Sequence, residues 1–171
     1  MHWDVIETPI GRLTLCGRDG ALTGLRFPGR GAALAEEARR PGALATAAEQ
    51  LQQYFAGERR AFDLELAPDG TPFQRQVWAA LRAIPYGAAV SYGELARTLA
   101  RPDRARAVGA AVGRTPIPIV IPCHRVIGAD GSLTGYGGGL QRKAALLDLE
   151  ERTVRGLAPE PAWALRQLVL A

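Results

Sequence analysis

Ser91-Tyr92-Gly93-Glu94-Leu95-Ala96-Arg97-Thr98-Leu99-Ala100-Arg101-Pro102-Asp103-Arg104-Ala105-Arg106-Ala107-Val108-Gly109-Ala110-Ala111-Val112-Gly113 reads as two short helices joined by a tight connection. Ser91 and Glu94 have capping-box spacing, so that each side chain accepts a hydrogen bond from the other residue's backbone N–H, and a helix is expected from Tyr92 to about Ala100. Pro102-Asp103 opens a second helix, with Asp103 as its N-cap and Gly113 as its stop. Such a pair resembles a helix–turn–helix, although an ordinary helical hairpin has the same pattern. The second helix is unusual in its small residues, Ala105, Ala107, Gly109, Ala110 and Ala111, over which another backbone can come close. Arg104 and Arg106 project from the same segment. This combination suits a narrow DNA minor groove, with an arginine entering the base stack. Tight helix packing accounts equally well for Ala110 and Ala111.

Upstream, Thr71-Pro72 is an N-cap with proline at the first helical position, which predicts a helix to about Arg82, ended by Pro85-Tyr86-Gly87. Residues 1–66 look different. Trp3–Ile6, Leu13–Leu15 and Leu22–Phe27 are short strand-like segments separated by Gly11 and Asp19-Gly20, a pattern that predicts an antiparallel meander. A helix is expected over 44–56, with Leu44, Ala47, Leu51, Tyr54 and Phe55 on one face. Phe62–Leu66 alternates as a further strand, and Ala67-Pro68-Asp69-Gly70 reads as a linker. The expected organisation is therefore α+β, with domains at 1–66 and 71–171 joined by 67–70. A last helix, 161–170, is expected to pack against the body. Nothing in residues 1–66 suggests catalysis.

The chain is 171 residues long and 47% hydrophobic, enough to bury a substantial core. No apolar run has transmembrane length, and Met1-His2-Trp3-Asp4 lacks the layout of a signal peptide; with two cysteines, a reducing cytoplasm is expected. Charge is distributed unevenly. Residues 71–125 carry eight arginines against only Glu94 and Asp103, whereas residues 1–70 have a small acidic excess. An anionic partner requires positive charge in this arrangement, although a solvated arginine surface would show it too. Lys143 is the only lysine and asparagine is absent, a bias that thermal adaptation or GC-rich coding would produce, the several glutamines favouring the second.

The basic segment ends at Ile121-Pro122-Cys123-His124-Arg125-Val126, after further prolines at 116 and 118. An isolated cysteine is most often a small buried hydrophobe. Here, however, one of two cysteines adjoins one of two histidines, and an imidazole beside a thiol is the usual means of making a thiolate. His2, Cys16, Cys123 and His124 have no ligand spacing, so no metal is expected. A papain-like hydrolase would need a histidine reaching in from elsewhere, and only His2 is available.

Pro122-Cys123-His124-Arg125-Val126 resembles the active-site motif of the O6-alkylguanine-DNA alkyltransferases. The likeness runs from Phe73 to Glu150 and takes in Val90-Ser91-Tyr92-Gly93-Glu94, Arg106-Ala107-Val108-Gly109, Thr134-Gly135-Tyr136-Gly137-Gly138-Gly139-Leu140 and Leu146-Leu147-Asp148-Leu149-Glu150. The family's architecture implies a small ribonuclease-H-like α/β domain followed by a mainly helical domain with a winged-helix-like helix–turn–helix. It implies a DNA-repair methyltransferase that works once per molecule, moving an alkyl group from O6-alkylguanine, with O4-alkylthymine as a further candidate, irreversibly onto Cys123. In that scheme His124 is the water-mediated base, Glu150 orients it, and Tyr92 donates toward guanine N3.

The resemblance also implies how DNA is held. Arg106 would fill the gap left by the flipped base, while Ala105, Ala107 and Gly109 press on the backbone and Arg104, Ser91 and Arg125 add DNA contacts. Val112, Val126, Tyr136, Gly137 and Gly138 would form the pocket for the base. The implied partner is double-stranded DNA with alkylated guanine, bound in the minor groove by a monomer without cofactor, metal or membrane; cooperative loading is left open. Two positions depart from the family. Thr115 replaces an asparagine that ties the recognition helix to the active-site strand, and it has one donor where the amide has two. Gly137 stands where some relatives carry serine. The rival from another class is a non-catalytic lesion-binding relative lacking the acceptor cysteine, and Cys123 argues against it.

Overall fold

The computed structural model describes residues 1–159, and the helix expected at 161–170 lies outside them. Strands β1 (His2–Thr8), β2 (Gly11–Arg18) and β3 (Ala21–Arg26) form an antiparallel meander in the order β1-β2-β3. Asp19 and Gly20 both have positive φ, 53° and 84°, which is the demand of a two-residue turn matched to strand twist. The register slips between Cys16 and Gly17, a bulge beside one of the two thiols. Helix α1 (Ala45–Phe55) covers the sheet with Ala47, Gln50, Leu51, Tyr54 and Phe55 buried.

The strand expected at Phe62–Leu66 does not form. Its pairing is limited to a bridge between Leu22 and Leu66. The Gln50 side chain accounts for the difference: it accepts from Asp63 N at 2.9 Å and donates to Asp63 O at 3.0 Å, taking the groups a ladder would need.

The helical domain starts as expected with α2 (Pro72–Arg82), where Thr71 and Gln74 close a capping box. The Ser91–Glu94 box starts α3 (Tyr92–Thr98), and the second helix of the pair, α4, spans Ala105–Gly113. Asp103 does not cap α4. Pro102–Arg104 is a 3-10 turn, so the cap position falls to Arg104 and the Asp103 side chain lies a residue too early. Trp78 of α2 donates through Nε1 to Ala111 O at 2.9 Å, fixing α4 on the body. β4 (Val90–Ser91) and β5 (Val126–Ile127) pair in parallel, and α5 (Leu140–Val154) closes the domain. Buried residues of sheet and helices form one continuous core, from Leu13, Leu15 and Leu51 to Val108, Ile121 and Leu146.

Candidate active site and DNA-facing helix

Prolines make the segment before the thiol rigid, because each fixes its own φ and restricts the residue before it. Between them Ile119 is held at φ 74°, a conformation that β-branched residues rarely take. The run ends in a 3-10 turn, Cys123–Arg125, in which all three side chains are buried. Cys123 lines a cleft of about 590 Å³ whose walls come from both domains, Tyr92, Val112, Thr115 and Tyr136 from one and Cys16, Gly24 and Phe27 from the other.

Behind the thiol lies a buried charge cluster. His124 Nε2 is 2.8 Å from Glu150 Oε1, and both residues are fully buried. Arg125 donates to the same carboxylate through Nε, at 2.9 Å to Oε2, and through Nη2, at 2.8 Å to Oε1, while its Nη1 donates to Ile84 O at 2.7 Å. Gly87 N adds 3.1 Å to Oε2, and the Tyr54 hydroxyl donates to Oε1 at 2.9 Å. Burial alone would raise the Glu150 pKa. The hydrogen bonds from His124 and Arg125, with the positive charge of the Arg125 guanidinium, outweigh it and hold the group at about 2.

Glu150 is therefore a carboxylate and can only accept, which places the His124 proton on Nε2. His124 Nδ1, buried and without a hydrogen-bond partner among the described residues, then carries the lone pair. Burial lowers the His124 pKa against the pull of Glu150, so the ring is neutral at rest. Burial also pushes the Cys123 thiol up to about 11, with the Thr115 hydroxyl and the Lys143 ammonium working the other way. The resting site is a protonated thiol beside a neutral base.

Three neighbours complete the site. The Tyr92 hydroxyl donates to Thr134 O at 3.1 Å, an acceptor it shares with Lys143 Nζ at 2.8 Å. The Tyr136 ring meets Phe27 edge-on at 5.6 Å, and its buried hydroxyl has no partner among the described residues. Thr115 Oγ1 donates to Val112 O at 2.7 Å, joining the end of α4 to the thiol's surroundings through a single hydroxyl. Val126 is fully buried, Gly137 is exposed on the cleft wall, and Gly138 lies where a Cβ would meet the Phe27 ring at 2.8 Å.

On α4, Arg106, Ala107 and Ala110 are exposed, Ala105 and Gly109 are half-buried, and Val108, Ala111 and Val112 face inward. Arg106 has no hydrogen bond, ion pair or ring contact among the described residues. Arg104 stands over the Phe73 ring at 5.9 Å. The Ser91 hydroxyl accepts from Glu94 N at 3.1 Å as the helix cap. Arg125 is a correction: expected to touch DNA, it is instead 6% exposed and spends its guanidinium on Glu150 and Ile84.

Sequence reasoning missed Tyr54, Lys143 and Phe27. Only Lys143 had a signal, as the sole lysine among twenty arginines. Among the described residues, no group of three or more His, Cys, Asp or Glu could hold a metal ion, and no helix is long and apolar enough to cross a membrane.

Fold and site together define an α+β protein with a buried thiol in a cleft between its sheet and its helices, backed by an imidazole and a carboxylate. Residues 1–68 match the model of the 6-O-methylguanine DNA methyltransferase ribonuclease-like domain, and residues 72–152 match that of the same family's DNA binding domain. A methylated-DNA–protein-cysteine methyltransferase of Mycolicibacterium paratuberculosis is 54% identical over 157 residues, 89% of this chain and 93% of that one. One from Methanosarcina barkeri is 48% identical over 91% of this chain and 100% of its own. The structure of Mycobacterium tuberculosis OGT in complex with DNA superposes with a TM-score of 0.89 at 49% identity, covering 96% of this chain and 99% of that one. The chain belongs to the 6-O-methylguanine DNA methyltransferase family.

Proposed function

We propose that the protein repairs DNA by moving the alkyl group of O6-alkylguanine onto Cys123, once per molecule. The observation that carries this reading is the unpartnered Nδ1 of His124, aligned by Glu150 as a base next to a buried thiol. His124 takes the thiol proton through a bridging water, and the sulfur attacks the saturated O-alkyl carbon. A C–S bond forms as the C–O bond breaks. The electron pair leaves with the purine, where the Tyr92 phenol, released from Thr134 O, offsets its charge at N3. Displacement at a saturated carbon has no tetrahedral intermediate and needs no oxyanion hole. The product thioether has no electrophilic carbonyl through which water could regenerate the thiol.

Burial of the thiol requires that the base leave the stack, at a cost of a few kcal/mol. Groove contacts from the basic helical domain offset it. Arg106, exposed and without a partner among the described residues, is suited to fill the vacated space, with Ala105, Ala107 and Gly109 letting the backbone approach. Val112, Val126, Tyr136, Gly137 and Gly138 enclose the flipped base, and Thr115 acts as the hinge. In this reading the protein binds the minor groove as a monomer in the cytoplasm.

Intact-mass measurement after mixing with a methylated-guanine oligonucleotide tests the reading. A stoichiometric gain of one methylene, abolished by Cys123→Ala, supports it. An unchanged mass despite lesion-specific binding replaces it with a lesion sensor.

A further inference from the structure

The sheet domain sends one polar group into the charge cluster behind the thiol. Tyr54, on α1, is fully buried, and its ring packs edge-on against Phe55 at 5.3 Å and Tyr86 at 6.1 Å. Its hydroxyl ends 2.9 Å from Glu150 Oε1, the same oxygen that faces His124 Nε2 and Arg125 Nη2, each at 2.8 Å. We propose that Tyr54 is a positioning residue for alkyl transfer, pinning Glu150 so that the carboxylate holds His124 through Nε2 and leaves Nδ1 as the base. The proposal rests on the function proposed above.

The physics follows from how much Oε1 already accepts. Arg125 and Tyr54 both stabilise negative charge on the carboxylate, so less of it is spent on favouring an imidazolium. Burial keeps the Tyr54 phenol protonated, its pKa raised well above the ordinary 10, so it acts as a permanent donor. The charged groups acting on His124 are Glu150 and Lys143 from α5 and Arg125 from its own turn, with Cys123 adjacent in that turn; Tyr54 from α1 reaches the Glu150 carboxylate, with Tyr86 packed against its ring. Deleting the phenol oxygen removes a positive hydrogen beside Oε1. Glu150 becomes more basic, the imidazolium is better stabilised, and His124 titrates at higher pH.

The chain has only two histidines, so ¹⁵N-histidine NMR follows His124 with His2 as an internal reference. In Tyr54→Phe the His124 midpoint should rise by about half a unit to one unit, with His2 unmoved. The acid limb of the single-turnover methyl-transfer rate should shift upward in parallel while affinity for lesion DNA is unchanged. Phe62→Leu, which loosens the packing of the Phe62 ring 5.5 Å from the Tyr54 ring but spares the hydroxyl, should lower thermal stability and leave both pH curves in place. An unchanged His124 titration in Tyr54→Phe, or the same shift in Phe62→Leu, overturns the proposal. Failure of the wild type to accept methyl refutes the functional reading instead, and the NMR titration still decides the role of Tyr54.

Discussion

Two buried thiols line the same cleft, Cys16 from the sheet and Cys123 from the helical domain. Burial raises the pKa of both. Cys16 sits on β2 opposite Gly24, with the Arg26 guanidinium as a counterweight. Cys123 adds an adjacent imidazole whose free nitrogen is fixed by Glu150, a hydroxyl from Thr115 and an ammonium from Lys143. Exposure to the same cleft does not make a nucleophile. What separates the two is a means of removing the thiol proton in a desolvated place.

The largest expected difference comes from deleting each sulfur. Cys123→Ala should abolish methyl transfer to the protein, measured by intact mass. Cys16→Ala should transfer at the wild-type rate and lose about 1 kcal/mol of stability in urea unfolding. A slow or dead Cys16→Ala protein would break the comparison.

Removing the carboxylate behind His124 comes next. Glu150→Gln should slow single-turnover transfer by about 100-fold or more. It also leaves Arg125 buried without a counter-charge, which should cost about 3–5 kcal/mol in denaturant unfolding. The wild type should show the same group in its acid response. Glu150 is held at about 2 against an ordinary 4.5, a depressed value, so its stabilising contribution is present above pH 4.5 and lost as pH falls toward 2. The loss should be on the order of 3 kcal/mol, read from unfolding midpoints across that range and missing in Glu150→Gln.

The smallest effect is expected at the cation. Lys143→Met should slow transfer about tenfold at neutral pH, the equivalent of one pKa unit on the thiol, with the rate recovering as pH rises. A loss equal at every pH would assign Lys143 to holding the Thr134–Gly135 loop alone.

Local signals in the chain were legible where one residue's chemistry satisfies a near neighbour. The Ser91–Glu94 and Thr71–Pro72 caps and the Asp19-Gly20 turn stand where their spacing puts them. Phe62–Leu66 misled because its alternation says nothing of Gln50, which competes for its backbone. Asp103 misled because a 3-10 turn moved the cap by one residue. The reactive motif was readable as a contiguous run, and the Glu150 carboxylate through family resemblance. Arg125 was misread because its partner is 25 residues away, and Tyr54 was invisible because its bond to Glu150 spans 96 residues and crosses domains. Contacts made only by tertiary packing leave no periodicity to find.

Peptide-level mass mapping after incubation with excess methylated-guanine duplex tests the central claim most directly. The account predicts one methyl per protein, located on Cys123, none on Cys16, and repaired DNA that plateaus at one equivalent. Methyl on Cys16, or repair continuing beyond one equivalent, would contradict it.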